Sequence, residues 1–120
     1  MKKRLIINTA QINNDQLILT VDEPISTLQP AEHMLVDSDH FSFIYLMENE
    51  EKDYTYIIIP EQVWPVLKEA IKGGIPAFVT FKDERVELPQ FQSEMEYLVS
   101  NIKGNGNYGE EMAGKVERLF

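Results

Sequence analysis

The chain has 120 residues, of which 20 are acidic and 11 basic, for a formal net charge of −9. Such a length suits one domain around one core, and a hydrophobic content of 43% rules out a disordered tail. The absence of cysteine excludes disulfides, thiolate metal sites and cysteine nucleophiles, while the acidic surface disfavours nucleic acid and anionic membranes.

Lys2-Lys3-Arg4 is the one basic cluster, and only Leu5-Ile6-Ile7 follow it before Asn8. A signal peptide needs about 7–15 apolar residues there. No stretch approaches the roughly 18 apolar residues of a membrane span. A cytoplasmic chain is expected.

Arg4–Thr9 and Gln16–Val21 read as the two strands of a hairpin joined by the turn-rich Gln11–Asp15. Pro24 and Pro30 bracket an extended or looped segment. Met34-Leu35-Val36 reads as a further short strand, ended by Asp37-Ser38-Asp39-His40.

Phe41–Met47 and Tyr54–Ile59 form the clearest unit, a hairpin around the acidic loop Glu48–Asp53. With Met47 set opposite Tyr54, one face carries Phe41, Phe43, Tyr45, Met47, Tyr54, Tyr56 and Ile58. The other then carries Ser42, Ile44, Leu46, Thr55, Ile57 and Ile59. A half-exposed hairpin should show one polar face, and neither face here is polar. Both faces should therefore find cover. Phe43, Tyr45 and Tyr56 are the candidate interaction surface, because aromatic residues are enriched in interface cores. The alternative is a sheet curled around its own core, or helices packed on both sides.

The second half turns helical. Val63, Leu67, Ala70 and Ile71 keep helical spacing up to Gly73-Gly74. Pro60 and Pro65 delay regular helix to near Trp64, since proline inside a helix costs about 3 kcal/mol. Ala77–Phe81 and Arg85–Leu88 read as a second hairpin. Phe91, Met95, Leu98, Val99 and Ile102 mark another helix, closed at Gly104. Asn107 with Glu110 reads as a capping pair opening a last helix, whose stripe is Met112, Val116, Leu119 and Phe120. Residues 1–120 are thus expected to form a single globular α+β domain. Its architecture should be a mainly antiparallel sheet of about five to seven strands with about three helices, concentrated in the C-terminal half.

Gly104-Asn105-Gly106-Asn107-Tyr108-Gly109 spells G-x-G-x-x-G. A dinucleotide site needs a preceding strand and a following acidic residue about 20 positions on. Here a helical pattern precedes it, and Glu110 and Glu111 repel a phosphate. The glycines read as punctuation between two helices, with nucleotide binding the weaker alternative. His33, Asp37, Asp39 and His40 are the densest set of metal-ligand types. An EF-hand loop fails because Phe41 and Ser42 occupy the positions of its fifth ligand and its glycine. A site of two histidines and one carboxylate in a small hydrolase or metal-dependent enzyme stays open beside the plainer reading, an acidic turn. No serine lies in a G-x-S-x-G elbow.

Three segments carry a family resemblance: HMLVDSDHFSFIYLMENE (His33–Glu50), YIIIPEQVW (Tyr56–Trp64) and EMEYLVSNIKGNGNYGEE (Glu94–Glu111). Over residues 33–120 the chain resembles the uncharacterised YjbL-like group of short acidic Bacillus proteins, with the N-terminal hairpin less family-like. The resemblance implies a small soluble bacterial protein and assigns no activity, cofactor or catalytic residue. The expectation is a non-enzymatic binding or interaction module of the bacterial cytoplasm. Its partner would be a second copy or another protein, with no cofactor and no metal.

Overall fold

The computed structural model describes residues 3–120, so Lys2 of the basic cluster lies outside the described residues. Within them, eight strands form two four-stranded sheets, with three helices in the C-terminal half. The first sheet has the order β1 (Lys3–Ile6), β6 (Tyr54–Pro60), β5 (Ser42–Glu48), β4 (Gln29–Asp37). The second has the order β2 (Thr9–Asn13), β3 (Gln16–Thr20), β7 (Ala77–Phe81), β8 (Glu84–Glu87).

The α+β class holds, but each sheet is mixed, because β1 runs parallel to β6 and β3 runs parallel to β7. Parallel pairs need long crossovers, and the β3–β7 connection contains most of the other sheet and the first helix. Local periodicity reports neither a strand's partner nor its direction.

The N-terminal hairpin is displaced from its expected position. The Ile7 N–H still donates to the Ile58 carbonyl at 2.9 Å, whereas the Asn8 N–H donates to Thr20 at 2.8 Å. The chain therefore changes sheets between Ile7 and Asn8. Arg4–Ile6 pair with β6, and Gln11–Asn13 belong to a strand instead of a link. Only Asn14 and Asp15 make the turn, with φ of 50° and 60°. Two consecutive positive φ values fit the tight primed turn that suits a hairpin's twist, and short polar side chains tolerate them. The expected strand at Met34–Val36 sits inside the longer β4, whose pairing is interrupted between Pro30 and Met34, with Glu32 at φ 58°.

The helices α1 (Trp64–Gly73), α2 (Phe91–Ile102) and α3 (Glu110–Leu119) match the expected apolar spacing. Pro65 lies in the first turn of α1, where its missing N–H costs nothing. Gly74 closes that helix at φ 63°. Helix α3 begins at Glu110, with Gly109 and not Asn107 at its cap. The Asn107 N–H instead donates to the Asn105 side chain at 3.0 Å.

One continuous core joins the inner faces of both sheets to the three helices. Phe43 packs on Trp64 at 5.0 Å between ring centroids, and Phe120 closes the cluster at 6.1 Å from Phe43 and 5.9 Å from Trp64. Tyr45 stacks on Phe91 at 6.3 Å, and its hydroxyl donates to the Pro89 carbonyl at 2.6 Å. Burial raises the Tyr45 phenol above its ordinary 10.0, with the carboxylates of Glu32 and Glu94 adding to the effect.

The β5–β6 register differs by one residue from the expected one, because Met47 lies opposite Thr55 and Tyr45 opposite Ile57. A one-residue shift exchanges the faces of a strand. Phe43, Tyr45, Met47, Thr55, Ile57 and Ile59 therefore face the core, while Tyr54, Tyr56 and Ile58 share the opposite face with Ile44 and Leu46. The exchange has a measurable consequence. Tyr45→Ala should cost about 3–5 kcal/mol of stability, the range for large-to-small changes in a packed core. Tyr56→Ala should cost only about 1 kcal/mol. Urea unfolding of both variants checks this, and equal losses would contradict the register.

Candidate interaction face

The two sheets treat their outer surfaces differently. In the second sheet, Leu17, Leu19, Ala77 and Val79 point inward. The opposite face holds Thr9, Gln11, Asn13, Gln16, Thr20, Thr80, Arg85 and Glu87, with Ile18 and Phe78 among them. Thr20 and Thr80 hydroxyls meet at 3.2 Å, and the Arg85 guanidinium covers the Phe78 ring at 4.0 Å. That face is finished for water, as a half-exposed sheet should be.

The outer face of the first sheet is more apolar. Ile44, Leu46 and Ile58 form a small cluster separate from the main core, with Ala31 and Tyr56 packed against it and no helix residue taking part among those described. Around it stand Ile6, 56% exposed, Tyr54, 40% exposed, and Leu35, 36% exposed. Register places these residues on one surface: Ile6 beside Ile58, Leu35 opposite Ile44, and Tyr56 opposite Leu46. Charge enters from the edge strands and the loop end, with Arg4 beside Tyr56, Glu48 opposite Tyr54, and Asp37 opposite Ser42, and the Arg4 charge acts on Asp37 across the sheet. An apolar face crossing four strands, with aliphatic residues at its centre and tyrosines beside them, has the composition of an interface core.

Of the expected contact residues, only Tyr56 lies on this face. Phe43 and Tyr45 have no exposed surface and belong to the core. The register separates the three, and the residues that take their place are Ile6, Leu35, Ile44, Leu46, Tyr54 and Ile58. The signal for them was Asn49. Its side-chain oxygen accepts the N–H groups of Glu51 at 2.9 Å and Asp53 at 3.0 Å, which fixes a loop of residues 49–53 and sets Glu48 opposite Tyr54.

The histidine segment is divided as well. His40 Nδ1 lies 2.9 Å from Asp37 Oδ2, with the His40 N–H 3.2 Å from the other oxygen. His33 instead faces Glu94 of α2 at 3.3 Å, and the same Glu94 oxygen accepts the Met34 N–H at 2.9 Å. No group of three or more metal-ligand side chains occurs among the described residues. Asp39 turns to a cavity of about 550 Å³ that it shares with Ser38, Tyr108, Gly109, Glu110 and Glu111. The turn after β4 and the glycine segment thus meet in space, in acidic surroundings unsuited to a phosphate. At the other end of that segment, Glu117 takes the Gly104 N–H at 2.7 Å. Gly104 at φ 71° and Gly109 at φ 89° serve the reversal between α2 and α3.

Burial raises the Asp37 carboxyl, but the side-chain and backbone hydrogen bonds of His40, the charge of His40 and that of Arg4 outweigh it, leaving the pKa below its ordinary 3.8. A depressed folded-state pKa stabilises the fold above the ordinary value, and that contribution is lost as pH falls through the folded one. Asp37→Asn should therefore cost about 0.5 kcal/mol near neutral pH, and the difference from wild type should vanish in strong acid. Thermal unfolding from pH 7 to pH 2 follows this convergence; a gap that persisted in acid would assign Asp37 a packing role.

Fold and face together define a small α+β protein of two mixed sheets, one of them apolar on both sides. The chain belongs to the family described as "Family of unknown function (UPF0738)", which matches residues 5–120 and so reaches into β1. It is 43% identical to the UPF0738 protein YjbL of Bacillus subtilis, over 100% of this chain and 99% of that protein. It is 43% identical to a UPF0738 protein of Bacillus pumilus, again over 100% and 99%. A UPF0738 protein of Geobacillus sp. is 38% identical over 100% of this chain and 98% of its own length. No solved structure matches.

Proposed function

We propose that this protein is a non-catalytic interaction module of the bacterial cytoplasm, and that the outer face of the β1-β6-β5-β4 sheet pairs with the same face of a second copy. The contrast between the two sheets carries this reading. One outer face is largely polar, while the other leaves Ile6 and Leu35 exposed around an aliphatic centre of Ile44, Leu46 and Ile58. The lack of cysteine fits a reducing compartment, and no helix among the described residues is long and apolar enough to cross a membrane.

Charge distribution favours one arrangement of the pair. Glu48, Glu50, Glu51 and Asp53 crowd the loop at one end of the face. A two-fold axis that sets the facing strands antiparallel keeps these loops at opposite ends and leaves the apolar centres to meet. With a net charge of −9 on each copy, salt should strengthen the pairing by screening repulsion.

Sedimentation analysis should find a dimer near 100 µM, a generous ceiling for contacts of micromolar affinity, with tighter association at higher salt. Ile6→Glu with Leu35→Glu should give a folded monomer. A wild-type chain that remains monomeric throughout that range would defeat the proposal.

A further inference from the structure

A second feature lies on the helical side, away from the proposed interface. Lys68, Ile71 and Lys72 of α1 face Glu96 and Val99 of α2 across a groove of about 480 Å³, closed by Phe120. On each helix these residues are three or four positions apart, so each set lies on one helical face. Ile71, Val99 and Phe120 make an apolar floor packed against the core, and Phe120 joins it to the Trp64–Phe43 cluster.

The charges at the rim are unbalanced. Neither Lys68 nor Lys72 makes an ion pair among the described residues. Like charges one turn apart on a helix repel. Glu96 lines the same groove with its negative charge, but it pairs with neither lysine: Gln92 Nε2 donates to it at 2.8 Å and, also at 2.8 Å, to the Ile71 carbonyl, which ties α2 to α1. Two unpaired cations thus flank an apolar trough in a chain whose net charge is −9.

We infer that the α1–α2 groove binds an amphipathic anion, an apolar chain or ring laid along Ile71, Val99 and Phe120 with its carboxylate between Lys68 and Lys72. The volume falls within the range of about 300–1,000 Å³ of small-molecule sites. A carboxylate between the lysines relieves their repulsion and lets the apolar body leave water. An ammonium head would meet the same lysines and be rejected.

Titration calorimetry with dodecanoate, below its micelle concentration, should show saturable binding. Dodecyltrimethylammonium, of equal chain length and opposite charge, should show none. Lys68→Glu with Lys72→Glu should weaken dodecanoate binding at least tenfold, while Lys52→Glu, at an exposed lysine of the β5–β6 loop away from the groove, should leave it unchanged. Should the double variant fold poorly, amide chemical shifts of the wild type decide: dodecanoate should move residues 68–72, 96–100 and 120. Equal binding of both amphiphiles, no binding of either, or shifts confined to the outer face of the β1-β6-β5-β4 sheet would overturn the inference. The last result would still leave the interaction face intact.

Discussion

The Asn49 side chain holds the decisive turn of this molecule. By accepting two backbone N–H groups of its own loop it closes the β5–β6 connection at residues 49–53 and sets Glu48 opposite Tyr54. Every later pair follows from that one. A six-residue loop would send Tyr56 and Ile58 inward and turn Ile57 and Ile59 out. Trp64 depends on the same pairing, since its indole N–H reaches the Ile59 carbonyl at 3.4 Å while its ring packs on Phe43. The Tyr45 hydroxyl, in turn, reaches Pro89 just ahead of α2. One side-chain turn thereby decides where two helices dock.

A second constraint joins the sheets. The chain from Lys3 to Asn13 serves β6 first and β3 afterwards, exchanging partners at Ile7 and Asn8. Ile7 is fully buried at this crossing, where a backbone turned between two sheets must be shielded from water with its polar groups paired. Glu84 adds a further tie by accepting the N–H groups of Ile25 at 2.6 Å and Ser26 at 2.8 Å, which holds the loop after β3 against β8. The polar outer surface of one sheet and the apolar outer surface of the other are therefore parts of one continuous structure, and the apolar surface cannot be attributed to a loosely attached segment.

Much of this was legible in the sequence. The three helices, the hairpins at β5–β6 and β7–β8, and the glycine reversal before α3 all follow from spacing and turn chemistry. Less legible were long-range relations: the parallel pairings, the division into two sheets, and the exit of β1 from the hairpin. The apolar character of both faces of β5–β6 was plain from Phe41 to Ile59. Which residues made which face was not, because loop length shifts register by one and runs such as Tyr56-Ile57-Ile58-Ile59 have no polar residue to mark a side. Asn49 was the local clue. The histidines were misleading in the same way, since of four residues within eight positions only Asp37 and His40 stay together, while His33 goes to Glu94 of α2.

Tyrosine chemistry reads the face directly. Hydroxyl-radical footprinting of the wild-type chain at micromolar and at near-millimolar concentration compares Tyr45, Tyr54 and Tyr56 in one sample. Tyr45 should be protected at both concentrations, while Tyr54 and Tyr56 should be modified in the dilute sample and become protected in the concentrated one. Modification of Tyr45 in the dilute folded chain would contradict the register, and modification of Tyr54 and Tyr56 that ignores concentration would contradict the pairing of the faces.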